Sequence, residues 1–175
     1  MKILFDTNIL INRIGNNSDN VFFNRATFII KKCDELNWIK CISERTLREF
    51  EKGWTKYKFP KEKLKKEKAI INEFHILPYY FGNETIDQID GSLNNIGSVW
   101  NNEKEINISN EILAELLSVN AKTDRGILLD AIMNKCSMVV SENYKEFDKL
   151  KTIAERYNVI VCIAKNFKDI YLEYT

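Results

Sequence analysis

Short apolar runs alternate along this chain with longer stretches in which apolar residues recur every three or four positions. The short runs predict buried strands, because a strand that is covered on both faces is apolar at nearly every position. We place strands at 2–5, 38–42, 137–141 and 159–163, with a short extended piece at 75–77. The longer stretches predict helices at 21–36, 61–73, 86–99, 146–157 and 166–174.

Residues that commonly cap helices predict three more. Ser43 would begin a helix directly after the second strand, Ser109 would begin another, and Thr123 or Asp124 a third. Short apolar strands separated by helices are typical of a parallel sheet with helices on both faces. The pattern therefore predicts an α/β fold: a single three-layer α/β/α domain around a central, mostly parallel sheet. A length of 175 residues fits one such domain.

Apolar run length and cysteine placement narrow the class of protein. No apolar run approaches the length needed to cross a bilayer, and Asp6 breaks any signal-peptide core at the N-terminus. The four cysteines are widely separated in apolar surroundings, and the only histidine is His75. This favours buried free thiols over disulfides or a zinc site. We expect a cytoplasmic protein without membrane association.

Charge is unevenly distributed, although the formal net charge is only +1. A basic segment at 52–68 interleaves lysines with aromatic residues, and an acidic segment lies at 103–115. Cations meet phosphates and aromatic rings stack on bases in single-stranded RNA, so Lys52, Trp54, Lys56 and Lys58 are candidate RNA-binding residues. A solvated helix face that packs on the core through Trp54 explains the same pattern, and both interpretations stay open.

Acidic residues follow the predicted strands at positions where a parallel sheet would bring them together. Asp6 follows the first strand, Glu49 lies on the helix after the second, and Asp124 opens the helix before the fourth. Ligands bind at the carboxyl ends of parallel strands. Converging carboxylates repel one another unless a cation lies between them, and Mg²⁺ and Mn²⁺ prefer such oxygen ligands. Bound metal activates water for phosphodiester hydrolysis, so this pattern indicates phosphoryl chemistry.

Four segments in this order resemble the motifs of PIN domains: ILFDTNIL at 3–10, SERTLREF at 43–50, TDRGILL at 123–129, and MVVSEN at 138–143. The resemblance covers residues 1–51 and about 110–163, and implies a PIN-like domain over 1–175 with a longer helical insertion at about 52–110. It places the metal ligands at Asp6, Glu49 and Asp124, with Asn143 as a fourth catalytic residue. Thr7, Asn8 and Ser141 would hold the carboxylates by hydrogen bonds, although ordinary loop bonding explains them equally well.

This chain departs from the family pattern at two positions. Asn143 stands where the family often has an acid, which weakens one metal site or transfers its role to Glu142 or Glu146. Asp130 is an extra acid on the Asp124 helix. Six residues correspond to about 600° of helix rotation, so Asp130 faces away from Asp124 unless the register of the helix differs from the one predicted.

The resemblance implies a metal-dependent endoribonuclease that hydrolyses RNA phosphodiester bonds with Mg²⁺ or Mn²⁺, often the toxin of a toxin–antitoxin pair. The expected partners are RNA and an antitoxin protein, and the apolar helices between residues 86 and 117 offer a homodimer surface. One alternative is a catalytically inactive PIN-like scaffold that binds RNA or protein. Another is a PIN-like nuclease that acts on DNA, because the metal chemistry does not require the 2′-hydroxyl.

Overall fold

The computed structural model describes residues 1–14, 20–57, 69–79, 103–119 and 124–174, without the side chains of 51–57, 103–109 and 174. The helix predicted at 86–99, most of the one at 61–73 and most of the insertion at 52–110 lie outside the described residues. The helical insertion, the extent of a single domain over 1–175 and the homodimer surface therefore stay predictions. No helix in the described part is long and apolar enough to cross a membrane.

Five strands form one sheet in which every neighbouring pair is parallel. The strands are β1 (Lys2–Phe5), β2 (Ile39–Ser43), β3 (His75–Leu77), β4 (Met138–Ser141) and β5 (Ile160–Ile163). Their order across the sheet is β3-β2-β1-β4-β5. The strands predicted from short apolar runs are confirmed, with ends that differ by one residue at most.

Helices connect the strands. They are α1 (Thr7–Ile14), α2 (Val21–Glu35), α3 (Glu44–Tyr57), α4 (Glu103–Leu117), α5 (Asp124–Met133), α6 (Tyr144–Arg156) and α7 (Phe167–Tyr171). Short 3-10 turns at Ala164–Asn166 and Leu172–Tyr174 flank α7.

Two hydrophobic clusters cover the two faces of the sheet, so the predicted three-layer α/β fold is confirmed. Successive residues of a strand point to opposite faces, and accordingly Ile3 and Phe5 lie in one cluster while Leu4 lies in the other. The first cluster includes apolar residues of α1, α2 and α7, and the second those of α4, α5 and α6. All four cysteines are buried free thiols, as predicted.

The main differences from the predicted helices concern α1, the start of α4 and the start of α6. Helix α1 was not predicted, because its apolar residues follow the polar stretch Asp6–Asn8, which is also typical of a turn. Ser109 lies inside α4 instead of capping it, since a serine inside a helix costs only a few tenths of a kcal/mol. Helix α6 begins at Tyr144, two residues earlier than the prediction at 146.

The sheet topology brings the carboxyl ends of β1 and β4 side by side. Phe5 pairs with Val140, and the backbone amide of Asp6 donates to the carbonyl oxygen of Val140 at 3.0 Å. Asp6, which follows β1, and Ser141, the last residue of β4, are therefore neighbours at one edge of the sheet.

Candidate functional site

Asp6 is a buried carboxylate at the carboxyl end of the central strand. Only 4% of its surface is exposed. Its Oδ2 accepts a hydrogen bond from the Ser141 hydroxyl at 2.6 Å and another from the Asn8 amide. Burial raises the pKa of Asp6 above its ordinary value of 3.8, while the hydrogen bonds from Ser141, the Thr7 backbone and Asn8 oppose that shift. Each of these donors is electrically neutral.

Hydrogen bonds join Asn8, in the first turn of α1, to Ser141 at the end of β4. The Asn8 Nδ2 also donates to the Ser141 Oγ at 3.1 Å, and its Oδ1 accepts from the backbone amide of Glu142 at 3.0 Å. The Ser141 Oγ in turn accepts from the backbone amide of Asn143 at 2.9 Å. Asp6 is therefore held by a network that joins the start of α1 to the end of β4 and to the two residues that follow it.

Asp124 and Asn143 form a second part of the site. Asp124 is the first residue of α5 and is 4% exposed. The Asn143 Nδ2 donates to the Asp124 Oδ2 at 2.8 Å. Asn143 precedes α6, but its side chain makes no capping bond there. Its amide therefore serves the neighbouring carboxylate instead of its own helix.

Glu49 reaches this region from α3. Its Oε2 accepts a hydrogen bond of 2.5 Å from the Thr7 hydroxyl, and the glutamate is half-buried. Because Thr7 follows Asp6 directly, this contact brings α3 to the start of α1, next to the buried carboxylate. The structure thus places Thr7, Asn8 and Ser141 each in hydrogen-bond contact with one of the predicted ligands.

Glu142, Glu146 and Asp130, the other acids named from the sequence, make other contacts. Glu142 forms an ion pair of 2.5 Å with Arg25 of α2, although its second oxygen has no hydrogen-bond partner among the described residues. Glu146 contacts Lys149 at 3.2 Å on the exposed side of α6. Asp130 is fully buried and accepts from the Arg45 Nε at 3.1 Å.

The donor set fits a hard divalent cation by type. Asp6, Glu49 and Asp124 offer carboxylate oxygens, the ligands that Mg²⁺ and Mn²⁺ prefer. The three acids do not meet in one tight cluster: no group of three or more histidine, cysteine, aspartate or glutamate side chains within the described ranges has the spacing of a metal centre. Successive hydrogen bonds join Asp6, Ser141, Asn143 and Asp124. Glu49 is joined to them through Thr7, whose hydroxyl bonds Glu49 and whose backbone bonds Asp6.

Some sequence predictions fall outside the described residues, and some contacts of the structure were not predicted from the sequence. Lys58 and the side chains of Lys52, Trp54 and Lys56 lie outside the described residues, so the RNA-binding candidates stay predictions. Arg25 and Arg45, which pair with Glu142 and Asp130, were not predicted. Their partners lie 117 and 85 residues away in sequence, and no local pattern could show those pairs.

Three solved structures that share this fold are of VapBC complexes. A chain in the crystal structure of VapBC2 from Rickettsia felis, bound to a DNA fragment from their promoter, is 20% identical with a TM-score of 0.59, over 93% of this chain and 98% of that one. A chain of DNA-bound VapBC from Salmonella typhimurium is 21% identical with a TM-score of 0.57, over 94% of this chain and 98% of that one. A chain of VapBC-1 from nontypeable Haemophilus influenzae is 16% identical with a TM-score of 0.59, over 94% of this chain and 99% of that one.

This chain has the PIN-domain fold. The similarity extends over nearly the whole of both chains, so the resemblance inferred from four short motifs is confirmed at the level of the fold. In sequence, no family model and no curated protein matches the chain. Identities of 16–21% establish a shared PIN-domain architecture alone.

Proposed function

We propose that this chain is a PIN-type, metal-dependent endoribonuclease that hydrolyses RNA phosphodiester bonds with Mg²⁺ or Mn²⁺. The observation that carries the proposal is the environment of Asp6, a carboxylate that is 96% buried at the carboxyl end of the central strand and hydrogen-bonded by neutral donors. A buried carboxylate without a cationic partner is costly, and a bound divalent cation would offset that cost.

In this proposal Asp6, Glu49 and Asp124 would hold the metal, which when bound supplies activated water and stabilises charge on the phosphodiester. Ser141 and Asn8 orient the Asp6 carboxylate through their hydrogen bonds, and Thr7 does the same for Glu49. The Asn143 amide fixes the Asp124 carboxylate. Such partners of ligands govern how well a metal site is formed.

A protein partner belongs to the same proposal. The three similar structures are VapBC complexes, in which a toxin is paired with an antitoxin. We infer that this chain acts as the toxin of such a pair and binds an antitoxin protein. Coexpression with small proteins encoded next to it, followed by copurification, would test this inference.

Cleavage of RNA by purified protein tests the proposed activity. Wild type, Asp6→Asn and the surface control Asp148→Asn are incubated with single-stranded RNA and Mn²⁺ or Mg²⁺, with EDTA in parallel. We expect cleavage by the wild type and the control that Asp6→Asn and EDTA abolish. Cleavage that survives both the substitution and EDTA would refute the metal-dependent mechanism.

Asn143 favours one alternative, an inactive PIN-like scaffold that binds RNA or protein. Its amide donates to Asp124, so part of that carboxylate is satisfied without any metal. Binding of RNA or protein with no Mn²⁺ binding and no cleavage of RNA or DNA would support the scaffold. Cleavage of DNA alone, with the same dependence on Asp6 and metal, would support a DNA nuclease.

A further inference from the structure

Arg45 is a cation buried between the helices that carry two of the predicted ligands. It lies in the first turn of α3, is 1% exposed, and is the largest fully buried side chain in the described part of the protein. Its Nε donates to the Oδ2 of Asp130, which is 0% exposed. Its guanidinium carbon also lies 5.7 Å from the centre of the Tyr79 ring. Because a buried charge needs such partners, Arg45 is tied to one position.

Gly126 of α5 provides the space that this guanidinium occupies. A Cβ placed on Gly126 would lie 2.5 Å from the Arg45 Cζ, 2.6 Å from its Nε and 2.7 Å from its Nη1. Any side chain at position 126 would therefore displace the guanidinium. Glycine is disfavoured within helices, and close packing is the usual reason for one there. Gly126 and Asp130 together form a seat for Arg45 on α5.

The position of this contact links two ligands that come from separate helices. Arg45 lies four residues before Glu49 on α3, so the two residues are neighbours on one side of that helix. Gly126 lies two residues after Asp124 at the start of α5. Helices α3 and α5 pack against each other, and Glu49 and Asp124 can hold a defined separation only if that packing is fixed.

We propose that Arg45, seated on Gly126 and paired with Asp130, is a positioning residue that sets the relative placement of α3 and α5, and with it the separation of the Glu49 and Asp124 carboxylates. Arg45 acts through the helices and does not touch the substrate. The expected effect of Arg45 on metal affinity rests on the proposed function. Its expected effect on the separation of the two carboxylates does not depend on that function.

Substitution of Gly126 tests the seat while both charges stay in place. Four proteins are compared: wild type, Gly126→Ala, the apolar replacement Arg45→Met/Asp130→Leu, and the triple variant that combines these changes. Each is studied by crystallography and by Mn²⁺ titration calorimetry below the unfolding temperature of every variant. We expect Gly126→Ala and the apolar replacement each to change the Glu49–Asp124 separation and to weaken Mn²⁺ binding about tenfold or more, as loss of a ligand's supporting contacts does. Gly126→Ala should add nothing in the apolar background, because the guanidinium that it displaces is gone.

A matched control separates positioning from general loss of stability. Ile132→Ala removes a partly buried side chain of α5 that packs on the core and lies about 200° around the helix from Asp130. It should lower stability and leave the carboxylate separation and Mn²⁺ affinity unchanged. Unchanged separation in both Gly126→Ala and the apolar replacement would overturn the inference, as would an equal change in the control. If wild type binds no Mn²⁺, the proposed function fails, and the crystal structures still decide the positioning role.

Discussion

Loss of the Asp130 charge should destabilise this protein strongly, because it removes a carboxylate that compensates the buried guanidinium of Arg45. In Asp130→Asn the shape of the side chain is kept, so the change in stability reports the charge and not a cavity. Exposures of 1% for Arg45 and 0% for Asp130 leave no solvent to screen the pair. Breaking a buried pair of this kind costs about 3–5 kcal/mol. That is a large part of the roughly 5–15 kcal/mol by which a domain is stable.

Urea unfolding measured by circular dichroism provides the assay. With a slope of about 2 kcal/mol per molar urea, a loss of about 4 kcal/mol lowers the unfolding midpoint by about 2 M. Asp148→Asn, on the exposed side of α6, should stay within about 0.5 kcal/mol of wild type. Replacement of both partners, Arg45→Met/Asp130→Leu, should restore most of the stability, since an apolar pair avoids the cost of desolvating two charges.

The opposite ordering would refute this reasoning. If Asp130→Asn unfolds within about 1 kcal/mol of wild type, the pair is not the sole compensation for the buried guanidinium. If the double replacement is less stable than Asp130→Asn, the lost energy comes from shape and not from loss of the compensating charge. Each result can be read from the same set of urea curves.

Three further outcomes follow from the site and the core. Burial raises the pKa of Asp6 above 3.8, so between these two values the folded state binds a proton that the unfolded state has lost. Without metal, the free energy of unfolding should therefore fall as pH rises from 3.8 through the raised pKa. Urea unfolding at a series of pH values should show this loss in wild type and not in Asp6→Asn. Asn143→Asp should replace a hydrogen bond to Asp124 with like-charge repulsion. It should thereby lower stability by about 2 kcal/mol in EDTA but not in saturating Mn²⁺, as thermal unfolding would show. Burial raises the pKa of Cys33, Cys136 and Cys162 to about 12, so a thiol reagent should label these residues only after unfolding, which mass spectrometry can follow.

The sheet could be predicted from sequence because each strand is encoded locally. Residues 138–141 are apolar up to Ser141 and buried throughout, and so short an apolar run fits a strand covered on both faces better than a helix, which is usually longer. Helix α1 was missed because the local signal is ambiguous. Asp6, Thr7 and Asn8 suit a turn as well as the start of a helix, and only the packing of Ile9 and Leu10 against the sheet decides between them.

Contacts between distant residues explain what the sequence could not predict about the site. The position of Asp6 after a strand is visible in the sequence, but its bond from Ser141 joins residues 135 apart. The contact of Thr7 with Glu49 also depends on where α3 packs after β2. A pattern of acids at strand ends predicts which residues approach one edge of the sheet. It does not predict their separations, which depend on how the helices pack.

Two buried aspartates show why burial alone does not identify a functional acid. Asp6 and Asp130 are both almost fully buried. Asp130 is paired with Arg45, a permanent cation that cannot leave, so its charge is compensated within the fold. The bonds that Asp6 accepts come from Ser141, Asn8 and the backbone, all neutral, and its pKa stays raised. Asp130 therefore needs no external charge, whereas an ionised Asp6 gains from one. This difference in partners makes Asp6 the stronger candidate for a metal ligand and Asp130 a part of the framework.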